Sequence, residues 1–193
     1  MARRNYQRKK GKRRLKKMFL LSTEGTVTEP QYFSGFNSDT TVLHVRVIRN
    51  RGSSPEKVLR EMKRYLREQD LQKDDEAWLV VDTDNWTDAQ LTSLHQWSQK
   101  DRRYGLAVSN PMFEYWLLLH FEDGNAIASP QNCITRLKRQ LPNYDKGIHR
   151  EDVSSGITDA IRRAERKDTP ACSDWPHNTG TTVYRLVKNI QKQ

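Results

Sequence analysis

The chain has 193 residues, 35% hydrophobic and 30% charged, with a formal net charge of +10. That length fits one domain with a real core. No apolar run approaches the ~18 residues of a membrane span, and the two cysteines, Cys133 and Cys172, stand far apart at no metal-ligand spacing. With no signal peptide legible at the N-terminus, two thiols suggest a reducing compartment and a cytoplasmic protein.

The first element is a tail. Residues 1–17, MARRNYQRKKGKRRLKK, hold ten of the 34 Lys and Arg and no acid, and the other 24 match the 24 Asp and Glu. A block of like charge repels itself and buries nothing, which predicts a disordered basic tail. It reads either as an arm for phosphate backbones, with Arg13, Arg14, Lys16 and Lys17 as candidate contacts, or as a solvated leader.

MFLLST follows as a short buried strand, and TEPQYFSGF as a helix start with Thr28 as cap and Pro30 in the first turn. TVLHVRVIR alternates with both faces partly apolar, a strand of mixed burial. GSSPEKVLREMKRYLREQ is a helix capped by Ser53 or Ser54, with Val58, Met62, Tyr65 and Leu66 as its stripe. AWLVVDTD is a second continuous apolar run that stops at acids. TDAQLTSLHQWSQK starts with Thr87 and Gln90 at capping-box spacing, and YGLAVSN is a fourth short strand. Beyond Asn110 the pattern turns helical, with FEYWLLLHF, a helix near Ile157–Lys167 and a last helix in TGTTVYRLVKNIQ, separated by polar loops. Strand and helix alternate over the first part, and such continuous strands are covered on both faces. Right-handed crossovers then predict a doubly wound, mainly parallel α/β sheet of order 2-1-3-4, with a helical C-terminal third.

Two apolar strands end in carboxylates: Glu24 after the first, Asp82 and Asp84 after the third. In an open α/β sheet ligands bind beyond the carboxyl ends of the strands, where strand order reverses, here between strands one and three. Residues two apart on a strand point the same way, so Asp82 and Asp84 can share a target. Clustered carboxylates repel unless a cation is present, and hard oxygen ligands suit Mg²⁺ or Mn²⁺. The bland reading is three unrelated surface acids.

STEGTVTEPQYF, VVDTDNW and AVSNPMFEYWLLLHF, in this order, resemble the RloB family, and YDKG and TTVYRLV fit it too. The resemblance covers roughly residues 18–190 and implies a TOPRIM-like fold in a single domain, 18–193, after the tail. In that fold a Glu after the first strand and a DxD after the third hold Mg²⁺ for phosphoryl transfer, which carries over to Glu24, Asp82 and Asp84. The family is tied to abortive phage-defence loci, which implies an ATPase partner. This chain has Ser22-Thr23 where an apolar-Cys pair is expected before Glu-Gly.

Glu114, in NPMFE, could supply a fourth carboxylate for a second metal, or simply complement a helix dipole. Lys146, in YDKG, could steady a substrate phosphate or be a solvated loop lysine. His120 falls on the apolar face of its helix with Phe113, Trp116 and Leu117, the place of a hydrogen-bonded core histidine more often than a catalytic one. HNTGTTVYRLV gives a helix start at Thr179–Thr181 whose free N–H groups would suit an anion. Trp86, directly after DTDN, is a core candidate that could also stack on a base. The expected function is Mg²⁺- or Mn²⁺-dependent hydrolysis of nucleic-acid phosphodiesters, RNA (tRNA included) or DNA. The rival is a non-enzymatic metal- or nucleotide-binding sensor subunit of an ATPase-containing complex.

Overall fold

The apolar runs form the middle of a five-stranded sheet. The computed structural model describes residues 17–37, 42–48, 55–84 and 86–192. Arg13, Arg14, Lys16 and the Ser53/Ser54 cap lie outside them. In chain order the elements are β1 (Lys17–Thr23), α1 (Thr28–Ser34), β2 (Leu43–Ile48), α2 (Pro55–Glu68), β3 (Glu76–Asp82), α3 (Asp88–Ser98) and β4 (Tyr104–Asn110). Then come α4 (Phe113–Leu118), α5 (Pro130–Gln140), α6 (Arg150–Val153), α7 (Ile157–Lys167), β5 (Gly180–Thr181) and α8 (Val183–Gln191).

The strand order is β2-β1-β3-β4-β5, parallel throughout except for the antiparallel β4–β5 pair. The period-2 alternation sorts the strands' side chains into two layers. Phe19, Leu21, Val80 and Ala107 join one core with α1, α4, α5, α7 and α8, while Leu20, Leu79, Val81 and Val108 join the other with α2 and α3. The first crossover runs outward from β1 to β2 and the next runs back across to β3. Right-handedness in both directions requires the helix to change face, which is why α1 lies opposite α2 and α3. Strand order therefore reverses between β1 and β3. Leu79 is fully buried between the layers, where truncation to Ala would cost about 2–5 kcal/mol.

Local signals explain most boundaries. Thr87 caps α3 as a capping box: its hydroxyl accepts from the Gln90 N–H at 3.3 Å, and its own N–H donates to Gln90 Oε1 at 3.0 Å. Val58 and Met62 are buried under α2, with Tyr65 and Leu66 packed partly against the same core. β2 pairs only with β1, and its mixed burial follows from that edge position: Leu43 and Val45 face the core, while His44 and Arg46 are exposed.

Three expectations change. The helix start at Thr179–Thr181 is instead β5, whose Thr181 pairs with Ser109, and α8 begins at Val183. Thr28 does not cap α1; Val27 occupies the cap and the Thr28 hydroxyl bonds elsewhere. Lys17 belongs to β1 rather than to the tail: its Nζ pairs with Glu76 Oε1 at 2.8 Å and lies over the Phe19 ring. Both cysteines are free, and burial pushes the Cys133 thiol up to about 12. Among the described residues no helix is long and apolar enough to cross a membrane.

Candidate active site

Glu24 sits one residue past β1, and its N–H continues the ladder by donating to Val80 O at 2.9 Å. This carries the side chain across the β1–β3 reversal point. Its Oε2 accepts from the Asp82 N–H at 3.1 Å and from the Trp86 indole N–H at 2.7 Å. Burial raises its pKa despite those two donors, and the charge of Asp84 adds to the rise.

Asp82 is the last residue of β3 and is partly exposed at the strand's end. Burial of its carboxyl pushes the pKa well above the usual aspartate range, and the neighbouring Glu29, Glu24 and Glu114 push it the same way. The Phe113 N–H, at the start of α4, bonds to it and offsets part of that effect. β3 ends at Asp82, so the strand alternation does not reach Asp84. Asp84 stands exposed in the turn closed by Trp86 N–H on Thr83 O, near enough for its charge to act on Glu24.

Glu29, which follows no apolar strand in the sequence, belongs to the same cluster. It lies in the first turn of α1, 5% exposed, and its Oε1 accepts from the Gly25 N–H at 2.9 Å. Burial first, then Glu114 and Glu24, raise its pKa from 4.5 to about 6. This contact explains the glycine in Glu24-Gly25. A Cβ there would lie 2.0 Å from Glu29 Oε2, so only a bare backbone can receive the carboxylate this closely. Two acids five apart around a glycine were the available signal.

Glu114 enters from the first turn of α4, buried, and accepts from the Tyr144 hydroxyl at 2.8 Å. That hydroxyl lies 3.3 Å from Thr28 Oγ1, which donates to the Lys146 carbonyl at 2.7 Å. The YDKG loop is thus pinned onto α1 and α4 at the acid cluster. Gln31 Oε1 extends the pinning by accepting from the Ile148 N–H at 2.8 Å. Lys146 itself is exposed, at φ +62°, and among the described residues makes no ion pair. Its backbone is fixed while its ammonium stays available to an anion.

The fold therefore brings Glu24, Glu29, Asp82 and Glu114 into one another's field at the carboxyl edge, with Asp84 and the Lys146 loop at the margin. Lys17 is at the opposite, amino end of β1 and takes no part. His120 stays in the core: Nδ1 faces the Trp116 and Leu117 carbonyls at 3.0 and 3.2 Å, Nε2 faces Tyr32 Oη at 3.2 Å, and burial lowers its pKa to about 4. Trp86 is mostly buried, its indole N–H holds Glu24, and the little of the ring that stays open lines a neighbouring cleft.

Among the described residues no group of three or more His, Cys, Asp and Glu is already gathered as a metal cage. The donor set nevertheless fits a hard divalent cation. It is all carboxylate, and burial disfavours the charged forms of Glu24, Glu29 and Asp82, with the charges of Glu24 and Glu114 adding to the effect at Glu29 and Asp82. Mg²⁺ is commonly held by one or two carboxylates and keeps several waters, so a complete protein cage is not required.

No curated protein matches the chain, and no solved structure does. The family model described as RloB-like protein matches residues 19–190, nearly the whole of the described fold, and the chain belongs to that family.

Proposed function

We propose that this protein is a Mg²⁺- or Mn²⁺-dependent phosphodiesterase acting on nucleic acid, built on a TOPRIM-like variant of the doubly wound sheet. The observation that carries the reading is the convergence at the β1–β3 reversal point of the buried Glu24, Glu29 and Glu114 with the partly buried Asp82. A glutamate after the first strand and aspartates after the third, on a sheet of order 2-1-3-4, fit that fold.

Asp82, Glu24 and Glu114 would hold the cation, with Asp84 and Glu29 completing its surroundings. When bound, it supplies Lewis-acid polarisation of a phosphoryl oxygen and a more readily ionised water. Glu24 is suited to exchange a proton, because its raised pKa lies closer to neutrality than a solvated carboxylate's. Trp86 and the Asp82 N–H fix its Oε2 and so its direction. Lys146 places a cation beside the site from a pinned backbone, where it can meet a phosphate. The RloB-like membership supports a role as an effector of antiphage defence in the cytoplasm, beside an ATPase partner, with Arg13, Arg14 and Lys16 of the tail adding affinity for the phosphate backbone.

The test incubates the purified protein with labelled tRNA, plasmid and single-stranded DNA, with and without Mg²⁺ or Mn²⁺, alongside Asp82→Asn. Metal-dependent cleavage lost in the variant is the expected result. The variant should unfold at the parent's temperature or above when metal is absent, since one of several repelling charges is gone. Cation or nucleotide binding without cleavage would replace the enzyme reading with a sensor.

A further inference from the structure

A cleft between α2 and α3 opens beside the acid cluster and carries the opposite charge. Leu59, Leu94 and the edge of Trp86 form its floor; Arg60, Lys63 and Arg67 form its rim, with Glu56 the acid among its lining residues. The cavity is about 270 Å³, below the ~300–1,000 Å³ of drug-sized sites and suited to a flat ring. A second hollow runs on from Lys63 and Arg67 past Trp97 to Lys100. Trp86 joins cleft and site, because its ring lines the one while its N–H holds Glu24 in the other.

Only Arg60 among the three rim cations has an ion pair among the described residues, a long one. Glu61 pairs with Arg64 and stands 3.9 Å from Arg60. Among the described residues Lys63 and Arg67 make no ion pair. Arg60, Lys63 and Arg67, spaced three and four apart, fall on one face of α2, and like charges so placed destabilise an isolated helix. A line of three cations, two of them without an ion pair among the described residues, above an apolar floor matches a ligand that alternates anions with flat apolar rings. In a duplex the rings are stacked inward, so the floor would stay unfilled.

We propose that the α2/α3 cleft binds single-stranded nucleic acid, with phosphates on Arg60, Lys63 and Arg67 and a base against Leu59, Leu94 and Trp86, and so leads the strand to the acid cluster. The purpose of this path rests on the phosphodiesterase reading; the binding does not.

The experiment is an anisotropy titration of the full chain in EDTA against labelled oligo(dT), oligo(U) and a duplex. The variants are Lys63→Glu with Arg67→Glu, the milder pair Lys63→Gln with Arg67→Gln, and Arg162→Glu on α7 as a remote control. The charge-reversed pair should weaken single-strand binding roughly tenfold or more. Its slope of log affinity against log salt should shrink by roughly 1.4, about 0.7 for each lost phosphate. The Gln pair should fall between and the control should match the parent; the dT and U arms tell DNA from RNA. Each variant's thermal midpoint guards against misfolding. Unchanged single-strand affinity in both pairs, or a loss confined to the duplex, overturns the proposal. Cleft-dependent binding by a chain that cuts nothing upholds the cleft and removes hydrolysis. Cutting by both pairs at the parent rate and affinity does the reverse.

Discussion

Replacing Glu29 by Gln should make the metal-free protein more stable at neutral pH and leave it unchanged in acid. The folded protein binds the Glu29 proton with a pKa of about 6, against 4.5 for a free glutamate. Between those values the folded state carries more of this proton than the unfolded state does. Stability therefore falls as pH rises through the window from 4.5 to 6, and the full cost is present above it. The difference amounts to about 2 kcal/mol at ~1.36 kcal/mol per tenfold in proton affinity. Gln keeps an oxygen for the Gly25 N–H and removes the charge. For a domain of this size about 2 kcal/mol corresponds to roughly 4–8 °C in midpoint. The assay is thermal or urea unfolding in EDTA at pH 4 and pH 7.5 for parent and variant, read as the difference of differences, so that titrating groups outside the field of Glu29 cancel. Millimolar Mg²⁺ at pH 7.5 should narrow the gap by stabilising the parent. Equal pH dependence in the two proteins would refute the reasoning and take Glu29 out of the charged cluster.

Gly25→Ala should push the Glu29 carboxylate off the Gly25 N–H, because its Cβ would meet Glu29 Oε2 at 2.0 Å; any loss in urea unfolding should largely vanish when Glu29→Ala is added, since the three nearest atoms all belong to that side chain. Tyr144→Phe removes the hydroxyl that Glu114 accepts at 2.8 Å, and should cost about 1.5–3 kcal/mol in the same assay, as for a hydrogen bond to a charged group. Deleting residues 1–16 should flatten the salt dependence of nucleic-acid binding; an unchanged slope would make the tail a leader only.

The sheet was legible because its strands are short, continuous apolar runs, and parallel strands covered on both faces have no other use for such runs. β5 was not legible, since two residues carry no periodicity and Gly180–Thr181 is a strand only by virtue of Ser109 and Asn110 opposite it. Glu24 and Asp82 could be found as acids where apolar runs stop. Asp84 was paired with Asp82 by assuming that the strand continued, and it ends first. Glu29, Tyr144 and Trp86 depend on contacts between segments distant in the chain, which spacing does not report. The Tyr144–Glu114 bond spans 30 residues and the Trp86–Glu24 bond spans 62.

The pinning of the YDKG loop also sets an order in time. The four clustered acids all lie in the first 114 residues, but the Tyr144 hydroxyl and the Lys146 carbonyl, by which the loop closes on Glu114 and α1, come later, the latter 118 residues after Thr28. Ribosomes deliver about 5–20 residues each second, so the acids emerge seconds before their clamp. During that interval Glu24 and Glu29 already have their donors in Asp82, Trp86 and Gly25, while Glu114 still waits for the Tyr144 hydroxyl. The closed arrangement of this edge of the sheet is a late product of translation, reached only once Tyr144 and Lys146 have left the ribosome.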